Sequence, residues 1–328
     1  MKTLVTGGGG FLGSHLAKAL LKRGDETRIV GRRNYPNLPT GIEQMKADLC
    51  DFSEAIIACE GRDVVFHAAA KAGIWATDEE FYSANVTSTR NIIDACIRQK
   101  VRKLIFTSSP SVVFGGTNLE NADESLPYPK TYLSEYARTK AIAERIVLKA
   151  NGRNGLLTVG LRPHLIWGPG DPHLVPRILQ RAREGKLTQV GEGKNKVDIT
   201  FIDNAVEAHL KACDFLEKGS PLVGKCYFIS DGDPVVLWDW INALLNEMNI
   251  PPARKRITRR TAYTVGILLE ALHRIFRLPG EPQMTRFLAV QLADSHYFDI
   301  SLAKKDFGFV PMTSSREGMD RLIASLKP

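Results

Sequence analysis

A run of glycines set between an apolar strand and a helix, TLVTGGGGFLG at 3–13, constrains this chain more than any other segment. The strand pattern enters a tight turn, and Leu16, Ala19 and Leu20 mark a helix directly after it. Glycine is required there because the chain turns sharply, the backbone must approach a pyrophosphate closely, and the helix must pack onto the sheet. The phosphates would then rest on free backbone N–H groups at the helix N-terminus, which puts Gly7, Gly10, Phe11, Leu12 and Gly13 in a cofactor site. A merely flexible loop would not be flanked at once by strand and helix patterns.

The rest of the N-terminal half continues that rhythm. Apolar runs at 3–5, 27–30, 64–67, 103–107 and 157–161 alternate with helical patterns at 13–22, 53–59, 81–99 and 135–149. This predicts an α/β fold, a doubly wound parallel sheet of the Rossmann type with crossover helices. From Pro163 onward the rhythm becomes irregular, with Pro and Gly clusters at 168–172 and 191–193 that read as loops. A smaller C-terminal substrate-binding lobe is expected to begin there. The expected division is 1–163 for the nucleotide domain, with returning segments at about 197–231, and 164–196 with 232–328 for the substrate lobe.

Cofactor choice is read roughly twenty residues beyond the glycines, where an acid bonds a ribose 2′-hydroxyl and an arginine accommodates a 2′-phosphate. Here the second strand ends Val30-Gly31-Arg32-Arg33 without a carboxylate, and two guanidiniums can clamp a phosphate. NADP is expected over NAD. The alternative is a solvated basic turn. Asp48, followed by Leu49, could bond the adenine amino group or simply cap the next helix. Ala68 and Ala69, after His67, are small enough to let a ligand approach, and Pro163 closes the fifth strand beside the same crevice.

Tyr136 and Lys140 stand four residues apart, hence on one face of the expected helix. A phenol is a poor acid near neutral pH, and a neighbouring cation is expected to lower its pKa and make it a proton donor to a carbonyl accepting hydride. The strand at 103–107 runs into Ser108, Ser109, Pro110 and Ser111, so hydroxyls at its carboxyl end face the ligand crevice. One of them can hold the substrate oxygen against the tyrosine; serines also cap and turn without catalysing anything.

The formal net charge of +8 favours anionic ligands. Nucleic acid is not expected, because the basic run Arg254, Lys255, Arg256, Arg259 and Arg260 has no interleaved aromatics and no accompanying motif. Cys50, Cys59, Cys96, Cys213 and Cys226 form no C-x-x-C pair, so reduced thiols are expected and no metal site. The first residues run straight into a strand pattern with no leader, which suggests a cytoplasmic protein.

With TGGGGFLG, TSSPSVVFGG, YARTK and LRPHLIWGPGD in hand, the chain resembles the extended short-chain dehydrogenases, and within them the 3β-hydroxysteroid dehydrogenase family. The resemblance covers nearly the whole chain. It implies that Gly7, Gly10 and Gly13 carry the pyrophosphate, that Tyr136 is the acid/base, that Lys140 holds the nicotinamide ribose, and that Ser109 is the catalytic hydroxyl. Ser111 is the fallback, and Asn85 of NVTST would support the active-site helix or its water. GPGDPHLVPR, GKNKVDITFIDNAVEAH and LPGEPQMTRFLAVQLADSHYFDI are similar to bacterial 2-alkyl-3-oxoalkanoate reductases of long-chain olefin synthesis; sterol 4-carboxylate dehydrogenases share the first two patterns.

That resemblance implies NADPH-dependent reduction of a long-chain 2-alkyl-3-oxo acid to its 3-hydroxy acid. A 3β-hydroxysteroid or sterol 4-carboxylate dehydrogenase is the alternative, and a non-catalytic NADP-sensing regulator is a reading of a different class. His164 and Arg177 would meet the substrate carboxylate, or serve as ordinary loop polar groups. A homodimer through 81–99 and 135–149, and assembly with other acyl-processing enzymes, are family expectations. Finally, 261–276 places Val265, Leu268, Leu269, Leu272, Ile275 and Phe276 at helical spacing, interrupted by Glu270 and His273. It reads as a helix that caps a lipid pocket, rests on a membrane surface, or packs on the core.

Overall fold

Neighbouring residues along the central strands face two different cores. Leu4, Val65 and Leu104 pack into one, while Val5, Phe66 and Ile105 pack into the other. Burial on both faces explains why these strands read as unbroken apolar runs. In the computed structural model, which describes residues 1–327, they belong to one seven-stranded sheet. Its members are β1 (Lys2–Thr6), β2 (Glu26–Gly31), β3 (Glu43–Lys46), β4 (Val64–His67), β5 (Lys103–Thr107), β6 (Leu157–Pro163) and β7 (Cys226–Ile229). The spatial order is β7-β6-β5-β4-β1-β2-β3, and every neighbouring pair is parallel. Helices α1 (Phe11–Lys22) and, much later, α5 (Ile202–Phe215) cover one face; α2 (Phe52–Cys59), α3 (Ser88–Arg98) and α4 (Glu135–Ala150) cover the other. This is the Rossmann architecture, and the order reverses between β1 and β4, which opens a crevice at their carboxyl ends.

β3, the strand-like segment ahead of Asp48, lies at the sheet edge with three of its four residues exposed and carries no apolar run. One local feature differs from the sequence reading. The helix expected at 81–99 begins earlier, at Asp78–Tyr82, where Thr77 and Glu80 form a reciprocal capping box. It then passes through a π-helical turn, Ser83–Thr87, before α3.

The second lobe is built on a four-stranded sheet ordered Val235–Val236, Lys196–Val197, His296–Phe298 and Leu119–Ala122. One of its strands, Leu119–Ala122, comes from the chain before residue 163, so the lobe is not confined to the later segments.

Candidate active site

The glycine turn is shaped by contacts that exclude a side chain. Gly7 has φ of +66°, and a Cβ there would stand 2.9 Å from the Ala69 Cα; a Cβ on Gly13 would overlap the Gly7 carbonyl oxygen. Gly10 donates its N–H to that carbonyl at 2.8 Å and forms the N-cap of α1 without any side-chain cap. The first-turn N–H groups of Phe11, Leu12 and Gly13 therefore remain free for an anion, and no acid sits in that turn to compete with it. Ala69 N–H donates to Thr6 Oγ1 at 3.0 Å and so fixes the β4 end against the turn.

Arg32 and Arg33 follow β2 and are exposed, with Arg33 lying 5.7 Å from the Tyr35 ring centre. Arg32 is near the Cys50 thiol, which burial and the neighbouring Asp48 nonetheless push up to about 11. Asp48 is exposed and accepts the Cys50 N–H at 3.0 Å. It does not cap α2: Asp51 does, accepting from Ser53 and Glu54 N–H. The Leu49 side chain is buried in the core beneath α2 and its carbonyl accepts from Asn91.

A cavity of about 390 Å³ runs from this cradle into the second lobe. Its near wall contains Gly7, Gly10, Phe11, Leu12, Gly13, Ala68 and Pro163; its middle contains Ser109, Ser111, Tyr136 and Lys140. The far wall is Phe114, His164, Phe287, Gln291, His296 and Phe298. Ser109 sits where β5 gives way to a short 3₁₀ turn, and its Oγ accepts from both the Ser111 N–H (3.2 Å) and the Ser111 hydroxyl (3.0 Å). That leaves the Ser109 proton free, and its bond to the Tyr136 phenol eases ionisation of that group.

Burial outweighs that effect and raises the Tyr136 phenol above its ordinary value. The lowering by Lys140 that the spacing suggested is not present. Lys140 Nζ instead donates to the Thr107 carbonyl at 2.6 Å and lies 4.2 Å from the Phe106 ring centre. Its burial brings the amine down to about 7, partly opposed by Glu144 one turn along α4. Burial alone would raise the Glu144 carboxyl, but the Arg162 guanidinium, bonded at 2.6 and 2.9 Å, holds it below the usual carboxylate range. Tyr136 thus stands as a protonated donor at neutral pH.

Asn85, in the π-helical turn, accepts the Lys71 N–H at 2.7 Å and donates to Thr139 Oγ1 at 3.0 Å, tying that turn to the helix of Tyr136. His67, buried, bridges Thr6 (2.7 Å) and Thr89 (2.9 Å), and burial together with Lys140 takes it down to about 3. It is a neutral brace between strand and helix.

The two residues proposed to meet a carboxylate fare differently. His164 lines the cavity but is buried and hydrogen-bonded through Nε2 to His296 Nδ1 at 2.6 Å; burial and that neighbour depress its pKa, so it is no cation. Arg177 lies outside the cavity lining, on the helix Leu174–Arg183, paired with Glu281. Phe114, Phe287, Gln291, His296 and Phe298 were not singled out individually. Four of them lie within the segment 278–300, whose distinctive pattern was the available signal. Among the described residues no cluster of His, Cys, Asp or Glu could hold a metal ion.

The model of the 3-beta hydroxysteroid dehydrogenase/isomerase family matches residues 4–259. A 2-alkyl-3-oxoalkanoate reductase of Stenotrophomonas maltophilia is 47% identical over 99% of both chains. A decarboxylating sterol-4-alpha-carboxylate 3-dehydrogenase of Mus musculus is 34% identical over 99% of this chain and 90% of its own length. Among solved structures, MoeE5 in complex with UDP-glucose and NAD has a TM-score of 0.77 at 24% identity, covering 99% of this chain and 98% of that one; at that identity the likeness concerns the fold.

Proposed function

The chain belongs to the 3-beta hydroxysteroid dehydrogenase/isomerase family, and from that premise we propose that this oxidoreductase is an NADPH-dependent reductase of long-chain 2-alkyl-3-oxo acids. The observation that carries the reading is the single cavity in which the Tyr136 and Ser109 hydroxyls stand between a glycine cradle and an aromatic wall. Identity of 47% along the full length to a reductase of that name supports the substrate class.

The residues present fit a nicotinamide dinucleotide. The tight turn that Gly7 and Gly13 allow by lying against neighbouring backbone, and the uncapped N–H groups of α1, suit its pyrophosphate, while Arg32 and Arg33 suit a 2′-phosphate. Lys140, already at the cavity, would hold the nicotinamide ribose. When bound, the dinucleotide supplies the hydride that turns the ketone carbon into a carbinol carbon. Tyr136 Oη gives its proton to the ketone oxygen, so C=O becomes CH–OH and the phenolate is reprotonated from solvent. Ser109 holds the carbonyl oxygen against Tyr136, turning to it the proton that otherwise meets the phenol. With His164 neutral and Arg177 elsewhere, the carboxylate finds neutral hydrogen-bonding groups such as Gln291, and the alkyl chains lie on Phe114, Phe287 and Phe298.

Initial-rate NADPH oxidation with a long-chain 2-alkyl-3-oxo acid, run beside NADP reduction with a 3β-hydroxysteroid, tests this. Turnover of the acid alone, with NADPH preferred to NADH and a loss of about 10²–10⁴-fold in Tyr136→Phe, is the expected result. Turnover of the steroid alone would reassign the substrate. Tight NADP binding with no turnover of either would make the protein a sensor.

A further inference from the structure

The helix Arg259–Phe276 is built inside out. Toward the protein it turns Ala262, Gly266 and Glu270, its three buried residues, at four-residue spacing. Gly266 lies so close to the neighbouring helix Arg286–Ala293 that a Cβ would stand 2.7 Å from the Arg286 amide nitrogen. Glu270, which interrupts the apolar pattern in sequence, is buried on this inner side, where it accepts the Arg286 N–H at 2.6 Å and its guanidinium at 2.9 Å.

The opposite side carries Val265, Leu268, Leu272, Ile275 and Phe276, 37% to 72% exposed. Of the apolar residues read along this helix in sequence, only Leu269 packs on the inner cluster, and the rest of the stripe faces outward. Single exposed apolar residues are ordinary, whereas a continuous uncharged stripe along a helix about 27 Å long marks a contact surface.

Charge says what covers it. Arg254, Arg256 and Arg260 lie at the start of this helix and Arg274 and Arg277 at its end, all exposed. Three acids of this region are already engaged: Asp294 pairs with Arg259, Glu270 with Arg286 and Glu281 with Arg177. A second copy docked face to face would bring two such sets of arginines together, which repel. An anionic surface matches both the apolar stripe and its basic ends. No helix among the described residues is long and apolar enough to cross a membrane, so contact is along the surface.

We propose that Arg259–Phe276 docks on an anionic phospholipid bilayer, with its apolar side among the acyl chains and the terminal arginines at the lipid phosphates. The helix beneath it contributes Phe287 to the far wall of the cavity, so the docked face lies one helix away from the substrate. Docking is independent of which acid is reduced, and it is tested without any substrate.

The full chain is floated with phosphatidylcholine vesicles prepared with and without phosphatidylglycerol, beside Leu268→Ser/Leu272→Ser and Arg274→Glu/Arg277→Glu. All four positions are exposed, and unchanged circular dichroism and melting establish that each variant is folded. Wild type should float with phosphatidylglycerol vesicles and lose binding as salt rises, and each variant should bind at least about tenfold more weakly. Wild type that stays unbound, or a serine variant that binds as wild type does, overturns the proposal. Self-association that disappears in the serine variant, with no vesicle binding, also overturns it and gives the face to a second copy.

Discussion

The two walls of the cavity are made in different ways. On the nucleotide side the surface is backbone: Gly7, Gly10 and Gly13 matter for what they lack, and the anion site is a set of uncapped N–H groups. On the substrate side the surface is side chains, with Phe114, Phe287 and Phe298 around the His164–His296 pair, whose two members are 132 residues apart. A wall of backbone has one acceptable shape and fails when an atom is added. A wall of side chains has many neighbouring shapes and changes by degrees. The proposed catalytic pair sits at the seam, where α4 of the first lobe carries Tyr136 into the cavity that the aromatic residues of the second also line.

The sharpest way to break this comparison is to add a methyl group to the backbone wall. In Gly13→Ala the new Cβ would overlap the Gly7 carbonyl, which neither flexible side chains nor solvent can relieve. Overpacking of this kind costs about 1–3 kcal/mol, which, felt at the pyrophosphate, is about 5- to 150-fold in dinucleotide affinity by titration calorimetry. Affinity within twofold of wild type would mean that the turn can yield, and the nucleotide wall would then be no more rigid than the other.

The contrast also accounts for what could be read in the sequence. β1, α1 and the turn between them obey local rules, and the Tyr136–Lys140 spacing is set by the helix that carries it, so these were legible from a few consecutive residues. The direction of the Lys140 ammonium was not, because it is decided by the Thr107 carbonyl and the Phe106 ring on β5. His164 looked like a cation until His296, 132 residues later, buried and neutralised it. Arg177 was diverted by Glu281 in the same way. The helix Arg259–Phe276 was visible as a helix, but its facing depended on Gly266 meeting Thr285 and Arg286.

At the seam, the pH dependence should belong to the nucleotide side. The Lys140 amine is brought by burial to about 7, while the Tyr136 phenol is raised above its ordinary range. kcat/KM for NADPH, which reports groups of the free protein, should therefore fall as pH rises through about 7, approaching about tenfold per pH unit as the ammonium is lost. Tyrosine remains protonated throughout and contributes no fall. The same depressed pKa has a signature in stability. Between about 7 and 10.5 the unfolded chain binds the extra proton, so the Lys140 contribution makes the fold more stable with rising pH, and Lys140→Met should remove that slope. A kcat/KM profile level to pH 9 would separate Lys140 from the cofactor.

The smallest effect is expected on the side-chain wall. Phe287 meets Phe114 edge-on at 6.2 Å and is half-buried, so Phe287→Ala widens the cavity without touching the glycine turn, Tyr136 or Lys140. Losing part of one apolar wall against an alkyl chain is worth about 1 kcal/mol, at the lower end of what a pocket contact contributes, or roughly fivefold in KM for the long-chain acid. kcat and dinucleotide affinity should stay within twofold, and shorter acyl chains should be less affected than longer ones. A fall in dinucleotide affinity comparable to that of Gly13→Ala would mean that the two walls are mechanically coupled through the residues that line the cavity between them.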